Sequence, residues 1–314
     1  MLRTRLGASE LDVFPLCFGG NVFGWTADEE ASFAVLDAYV EAGGNFIDTA
    51  DAYGSWVPGN PPGASEQIIG RWLQKRGNRD DMIIATKVGL MPERKGLSAS
   101  NISRAVEESL ARLQTDYIDL YYAHADDDEV PLEETLSAFD DLVRRGVVRW
   151  IAASNFSASR LSEALSVSRR EGLASYVALQ TQYNLVERDG YEGGLSELCE
   201  REGLACLPYY SLAKGFLTGK YRDSASDGVS VRAGGARAYL DGPTGRAVLE
   251  VLDELSAAHG VSPASIALAW LRQRPAVGTP IASARTPEQL ADLLPMNAVQ
   301  LDGAELARLN EASS

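Results

Sequence analysis

The sequence predicts an α/β fold, a (β/α)8 (TIM) barrel with additional C-terminal helices. Three observations carry this. Short apolar runs alternate strictly with longer amphipathic stretches, which implies parallel strands and right-handed crossovers. Eight such units spread over the 314 residues, which fits a closed barrel better than an open sheet. No Gly-x-Gly-x-x-Gly opens the first helix, so a doubly wound sheet loses its main support. No composition break marks a boundary, and residues 1–314 read as a single domain.

The elements follow in order. Leu16–Phe18 is short, apolar and followed by two glycines, a first strand. Glu29–Ala42 is helical by its spacing of Phe33, Leu36 and Val40. Asn45–Thr49 is the second strand, and Ser65–Lys75 a helix with Ile68, Ile69, Trp72 and Leu73 on one face. Met82–Thr86 is almost continuously apolar, as a strand covered on both faces should be. Ser100–Leu113 is a helix, with Ser100 as its expected N-cap. Tyr117–Tyr122 is a strand. Leu132–Arg145 is a helix that Gly146 ends, after two arginines suited to the C-terminal dipole. Val147–Ala152, Tyr176–Gln180 and Leu204–Leu207 are strands. They alternate with the helices Ser159–Glu171 and Gly194–Glu202, which Gly172 and Gly203 close. Asp223–Gly242, rich in Gly, Ser, Ala and Asp, is expected to be a long loop. Helices at Gly245–His259 and Pro263–Gln273 lead to a last strand at Thr279–Ile281. Pro287–Leu294 is the final barrel helix, and Gly303–Glu311 a helical tail.

Composition narrows the function. The net charge is −15, with 45% hydrophobic and 23% charged residues. A disordered chain needs far fewer apolar residues. An acidic chain is a poor partner for nucleic acid or for an anionic membrane surface. The three cysteines, Cys17, Cys199 and Cys206, form no disulfide framework and read as buried thiols. The N-terminus lacks the apolar core of a signal peptide, and no apolar run reaches the ~18 residues of a membrane span. A cytoplasmic protein is expected, with no metal site.

In a barrel, chemistry sits at the C-terminal ends of the strands. Strand two ends in Asp48, with Tyr53 five residues on. Strand three ends in Thr86-Lys87, strand four in His124, strand five in Ser154-Asn155, strand six in Gln180, and strand seven in Tyr209-Tyr210-Ser211. A lysine on a buried strand needs a partner, and Asp48 on the neighbouring strand is the obvious one. Any one of these residues is ordinary as a cap, a packing ring or an exposed charge. Four ionisable groups on one face are harder to explain that way. Together they suit carbonyl reduction. Hydride addition builds an alkoxide that needs a proton. Tyr53 would give it, Lys87 would lower the tyrosine pKa, Asp48 would hold Lys87, and His124 would polarise the carbonyl.

Gly44-Asn45-Phe46-Ile47-Asp48-Thr49-Ala50-Asp51-Ala52-Tyr53-Gly54, Ser65-Glu66 and Thr86-Lys87 closely resemble the aldo-keto reductase superfamily. The resemblance continues through Ser154-Asn155-Phe156, Gln180-Thr181-Gln182-Tyr183-Asn184, Tyr210-Ser211-Leu212 and Ala284-Arg285-Thr286-Pro287-Glu288-Gln289-Leu290. It covers essentially the whole chain and is closest to the branch of bacterial general reductases and potassium-channel β-subunits. It implies NADP(H) as cofactor and a small-molecule carbonyl substrate. It implies Tyr53 as general acid, tuned by Lys87 and Asp48, with His124 orienting the carbonyl. It implies Ser154, Asn155 and Gln180 at the carboxamide and Tyr210 stacked on the ring. Ser211, Leu212, Lys214, Gly215 and Lys220 match the loop over the pyrophosphate. Ser283 stands in the phosphate loop, Arg285 at the 2′-phosphate, and Gln289 at the adenine side. Three positions depart from the family pattern. Leu293 replaces an asparagine, Ala282-Ser283 replaces Pro-Gly, and the proline after Ser211 is missing.

On the substrate side, Trp25 and Trp56 are candidate walls of the cleft or packing of the barrel rim. The loop Ser55–Gly63, with three prolines, is expected to be stiff and close to the mouth. The run Asp126-Asp127-Asp128-Glu129 is expected to be a solvated face rather than pocket lining. Two alternatives stand beside the reductase: a slow-turnover nicotinamide-binding sensor or subunit, and a dedicated sugar oxidoreductase of a biosynthetic pathway. The oligomeric state is not readable from the sequence.

Overall fold

The computed structural model describes residues 3–222 and 233–314. A hairpin of β1 (Thr4–Arg5) and β2 (Asp12–Val13) opens the chain. The first barrel strand is β3 (Cys17–Gly19), followed by helix α1 (Glu29–Glu41), whose N-cap Asp28 accepts from the Ala31 amide. Strand β4 (Phe46–Asp48) precedes α2 (Ala64–Arg76). Strand β5 (Ile83–Val88) runs into a small hairpin, β6 (Leu90–Met91) and β7 (Arg94–Lys95). Helix α3 (Ala99–Leu113) is capped by Ser98, whose hydroxyl accepts from Asn101 N, and not by the expected Ser100.

The βα units then repeat: β8 (Ile118–Ala123), α4 (Leu132–Arg144), β9 (Val148–Ser154), α5 (Ala158–Glu171), β10 (Tyr176–Gln182), α6 (Gly194–Glu202) and β11 (Ala205–Tyr209). Of the expected loop Asp223–Gly242, residues 223–232 lie outside the described part. Helix α7 (Ala233–Arg237) and a 3-10 turn at Ala238–Leu240 follow, so the irregular reading fails there and holds only for Asp241 and Gly242. Helices α8 (Pro243–His259) and α9 (Pro263–Arg272) lead to β12 (Ile281–Ala282). Helices α10 (Pro287–Ala291) and α11 (Gly303–Ala312) complete the chain.

The eight barrel strands pair in parallel in the order β11-β10-β9-β8-β5-β4-β3-β12. The ring closes just ahead of β12. Cys206 N donates to Ala276 O at 2.7 Å, and Gly278 N donates to Cys206 O at 2.9 Å. Successive strand residues face opposite ways. Cys17, Phe46, Ala85, Leu120, Tyr122, Ala178 and Leu207 point into the barrel, where Leu6, Leu11 and Val13 of the opening hairpin join them as a plug. Ile84, Val88, Tyr121 and Ile151 point outward against the helices. Lys87 shares the inward row of Ala85, which brings an ammonium to the top of the barrel interior.

Candidate active site

Lys87 is fully buried and is held by three oxygens. Its Nζ lies 2.6 Å from Asp48 Oδ2, 2.7 Å from Thr49 O and 3.0 Å from the Tyr53 hydroxyl. Register places these groups together, since β4 and β5 pair Asp48 with Ala85, two residues below Lys87 on the same inward face. Burial depresses the ammonium's pKa, but Asp48 and Tyr53 outweigh it and raise the value above the ordinary one, so Lys87 is charged. For Tyr53, burial wins. Lys87 lowers the phenol's pKa, yet the net value is pushed up to about 12. The expected net lowering is therefore corrected: Lys87 offsets only part of the cost of burying a phenolate. His124 sits beside Tyr53, with ring centroids 6.0 Å apart. Burial and the Lys87 charge push its pKa well below 6.5, so the imidazole is neutral.

These groups open into a cleft of about 780 Å³. It is lined by every candidate catalytic, cofactor-binding and substrate-binding residue except Lys87, which stands behind Tyr53. On the amide side, Asn155 adopts left-handed backbone (φ 58°). Its Nδ2 donates to His124 O at 2.9 Å and to Ser154 Oγ at 3.1 Å. Its Oδ1 accepts from the Tyr209 hydroxyl at 2.9 Å. Gln180 Nε2 donates to Asp48 Oδ1 at 2.8 Å. Tyr210 is 39% exposed and stands edge-on to Tyr209 at 5.3 Å. Tyr209 ends β11 and is the aromatic ring tied directly to Asn155. The sequence carries no signal that separates Tyr209 from its neighbour Tyr210.

The loop after β11 carries three successive positive-φ residues, Ala213, Lys214 and Gly215 (48°, 59° and 91°). Left-handed backbone is costly for side chains other than glycine, and its concentration at a cleft marks a site. The Ser211 hydroxyl donates to Pro208 O at 2.9 Å. Leu212, Lys214, Gly215 and Lys220 line the same wall. Across the cleft, Ser283 Oγ donates to Asn21 Oδ1 at 2.9 Å. Arg285 N donates to Gln289 Oε1 at 3.0 Å, while the guanidinium has no partner among the described residues. Leu293 is buried at this end.

Trp25 and Trp56 meet edge to face at 5.6 Å, and Trp56 meets Tyr53 at 5.9 Å. They wall the cleft, with Trp56 47% exposed. Asn60 Nδ2 reaches both Gly24 O and Gly54 O, which pins the proline-rich loop to the turn that holds Trp25. None of Asp126–Glu129 lines the cleft. Asp128 and Glu129 are exposed, as a solvated run should be. Asp126 instead pairs with Arg160 at 2.9 Å, and Asp127 accepts from Leu97 N at 2.8 Å.

Among the described residues no cluster could hold a metal ion, and no helix is long and apolar enough to cross a membrane. A parallel barrel with paired Asp, Lys and Tyr at its C-terminal mouth defines a class of oxidoreductase. The aldo/keto reductase family model matches residues 15–314, and the chain belongs to that family. It is 34% identical to an uncharacterized oxidoreductase, YrpG, of Bacillus subtilis, over 99% of this chain and 95% of that one. It is 33% identical to aryl-alcohol dehydrogenase [NADP(+)] of Phanerodontia chrysosporium, over 91% of this chain and 77% of that one. It is 32% identical to a probable voltage-gated potassium channel subunit beta of Oryza sativa subsp. japonica, over 93% and 90%. These relatives place the chain in the branch of bacterial general reductases and channel β-subunits.

Proposed function

We propose that this single-domain protein is a cytoplasmic NADP(H)-dependent reductase of aldehydes or ketones, with Tyr53 as the general acid. The observation that carries this reading is the Tyr53 hydroxyl 3.0 Å from a buried, Asp48-paired ammonium, beside a neutral His124. The NADP(+) in the name of the fungal relative and the free, buried cysteines agree with it.

The cleft suits a nicotinamide dinucleotide. Lys214, Lys220 and Arg285 line it, which makes it locally basic in a chain of net charge −15. The guanidinium of Arg285, unpartnered among the described residues, is a ready binder of the 2′-phosphate. Ser154, Asn155 and Gln180 would hold the carboxamide, with Tyr210 and Tyr209 as aromatic neighbours of the ring. Ser211, Leu212, Lys214, Gly215 and Lys220 would cover the pyrophosphate, with Ser283 beneath it and Gln289 on the adenine side. When bound, the reduced cofactor supplies the hydride. The chain does the rest. Tyr53, still protonated at neutral pH, gives its proton to the carbonyl oxygen. Lys87 stabilises the phenolate left behind, and Asp48 keeps Lys87 charged and aimed. His124, uncharged, donates a hydrogen bond to the same oxygen and orients it. Trp25 and Trp56 cover the substrate from the solvent side.

Purified protein mixed with NADPH and 4-nitrobenzaldehyde or methylglyoxal should consume the cofactor, read at its reduced-nicotinamide absorbance band. Turnover no faster than that of Tyr53→Phe across a broad carbonyl panel overturns the reading. The likeness to a channel subunit favours a second reading, a cofactor-binding subunit of slow turnover. A single slow oxidation of bound NADPH, without multiple turnovers, would favour it.

A further inference from the structure

Behind the barrel wall lies a buried polar group that the proposed chemistry does not use. Asp51 is fully buried, and neither of its carboxylate oxygens has a hydrogen-bond partner. It follows Asp48 by three residues and precedes Tyr53 by two. Asp48 turns into the barrel, whereas Asp51 turns outward into the layer between the wall and helices α2 and α3.

The groups that face Asp51 come from every element packed there. Glu66 of α2 is buried and already accepts from Thr86 Oγ1 at 2.6 Å and from Arg112 Nε at 2.6 Å. Arg112 of α3 is thus committed to Glu66. Arg94 of the β6–β7 hairpin is committed to Glu108 at 2.6 Å and to Asn101 at 2.7 Å. Tyr121 of β8 presents a buried hydroxyl that also lacks a partner. An ionised Asp51 would lie beside the Glu66 carboxylate with no side-chain donor to itself among the described residues. An unpaired buried carboxylate is far costlier than the neutral acid. Burial and Glu66 push the Asp51 pKa up to about 7, against the smaller opposing pull of Arg112, Arg94 and the Ala52 backbone amide.

The backbone around Asp51 grips the catalytic lysine. Asp51 N donates to Lys87 O at 3.3 Å, Thr49 N donates to Ala85 O at 2.8 Å, and Thr49 O accepts from Lys87 Nζ at 2.7 Å. The segment from Asp48 to Tyr53 is therefore a strap over Lys87, with the Asp51 side chain buried beneath it.

We propose that Asp51 is a positioning residue that works as the neutral acid, seating the strap that aligns Tyr53 and Lys87, and that loss of its proton loosens the strap. The catalytic part of this inference rests on the reductase reading. Asp51 does not line the cleft. The pH window is open for it, because His124 is displaced to the acid side of 6.5 and Tyr53 to about 12.

Two measurements test it. Hydrogen exchange of the peptide spanning 48–54, corrected for intrinsic rate, should be several-fold faster at pH 8.5 than at pH 6 in the wild-type protein. Asp51→Asn, the isostere of the neutral acid, should remove that difference. In turnover with NADPH and 4-nitrobenzaldehyde, wild-type kcat should fall about tenfold over the same interval. The variant should change less than twofold, with the KM for NADPH unaltered. Wild-type exchange that is independent of pH overturns the proposal without need of a variant. So does an Asp51→Asn protein that keeps the wild-type alkaline limb, or that loses kcat tenfold at pH 6. Absence of turnover with the exchange change present would overturn the reductase reading and leave Asp51 as the anchor of the strap.

Discussion

Gln180 donates a hydrogen bond to Asp48: its Nε2 lies 2.8 Å from Oδ1, while Oδ2 of the same carboxylate takes the Lys87 ammonium at 2.6 Å. The two oxygens of Asp48 are thus divided between the lysine it charges and an amide proposed to hold the cofactor. A residue on β10 reaches across the barrel interior to one on β4. Removing it should disturb binding and chemistry together. Gln180→Leu is expected to raise the Kd for NADPH and to lower kcat, each about tenfold or more, by loss of a charge-assisted hydrogen bond. Fluorescence titration and steady-state kinetics separate the two effects.

Tyr53→Phe keeps the ring and removes the proton. Loss of a general acid typically costs about 10²–10⁴ in rate. kcat should fall by that factor, with NADPH affinity unchanged within about threefold. Single-turnover measurement at saturating NADPH checks this.

Lys87 and Asp48 form a fully buried pair. Removing one partner strands a charge, at about 3–5 kcal/mol. Lys87→Met should therefore melt well below the wild type and be inactive. Adding Asp48→Leu removes the stranded carboxylate and should recover part of the stability but none of the activity. Thermal unfolding of both variants, compared as a cycle, measures the coupling.

The depressed pKa of His124 has a stability consequence. The unfolded chain binds a proton near pH 6.5, and the folded site resists it. Unfolded protein therefore holds more protons below that pH, so stability rises with pH there and is full above about 6.5. It is lost as pH falls from 6.5 toward the folded value. His124→Gln should lack this part of the acid destabilisation, visible as a smaller drop in Tm between pH 7 and pH 5.

Arg285→Ala should weaken NADPH about tenfold or more and NADH hardly at all, since only NADPH carries the phosphate that a guanidinium would grip. Equal losses for both cofactors would argue against the assignment. Titration with each nucleotide decides it.

Much of this protein is legible in its sequence, and the gaps have physical reasons. The eight strands show because burial on both faces makes continuous apolar runs, and Gly172 and Gly203 end helices in left-handed backbone as expected. The two-residue strands of both hairpins carry too few residues to show a period. Helix α7 is hidden in a run of Gly and Ala that reads as loop. The convergence of Asp48, Tyr53, Lys87 and His124 follows from strand order alone. The pKa of Tyr53 does not, because it depends on how much water the fold removes. Asp51 looks like one more polar turn residue until burial is known. Tyr209 and Tyr210 are indistinguishable as a pair, and only the hydrogen bond to Asn155 separates them.

The barrel closes where β11 meets the segment just ahead of β12, through the Cys206 bridge. Lys214 and Lys220 follow one bank of that seam, and Arg285 follows the other. A ligand gripped by all three would act as a clasp across the join, fastening the seventh barrel strand to the eighth. At a hundred times its Kd, such a ligand adds about 2.7 kcal/mol to the folded state. The acid-donating half of the mouth, from Asp48 to His124, leaves the ribosome first, and the clasp becomes possible only when β12 arrives.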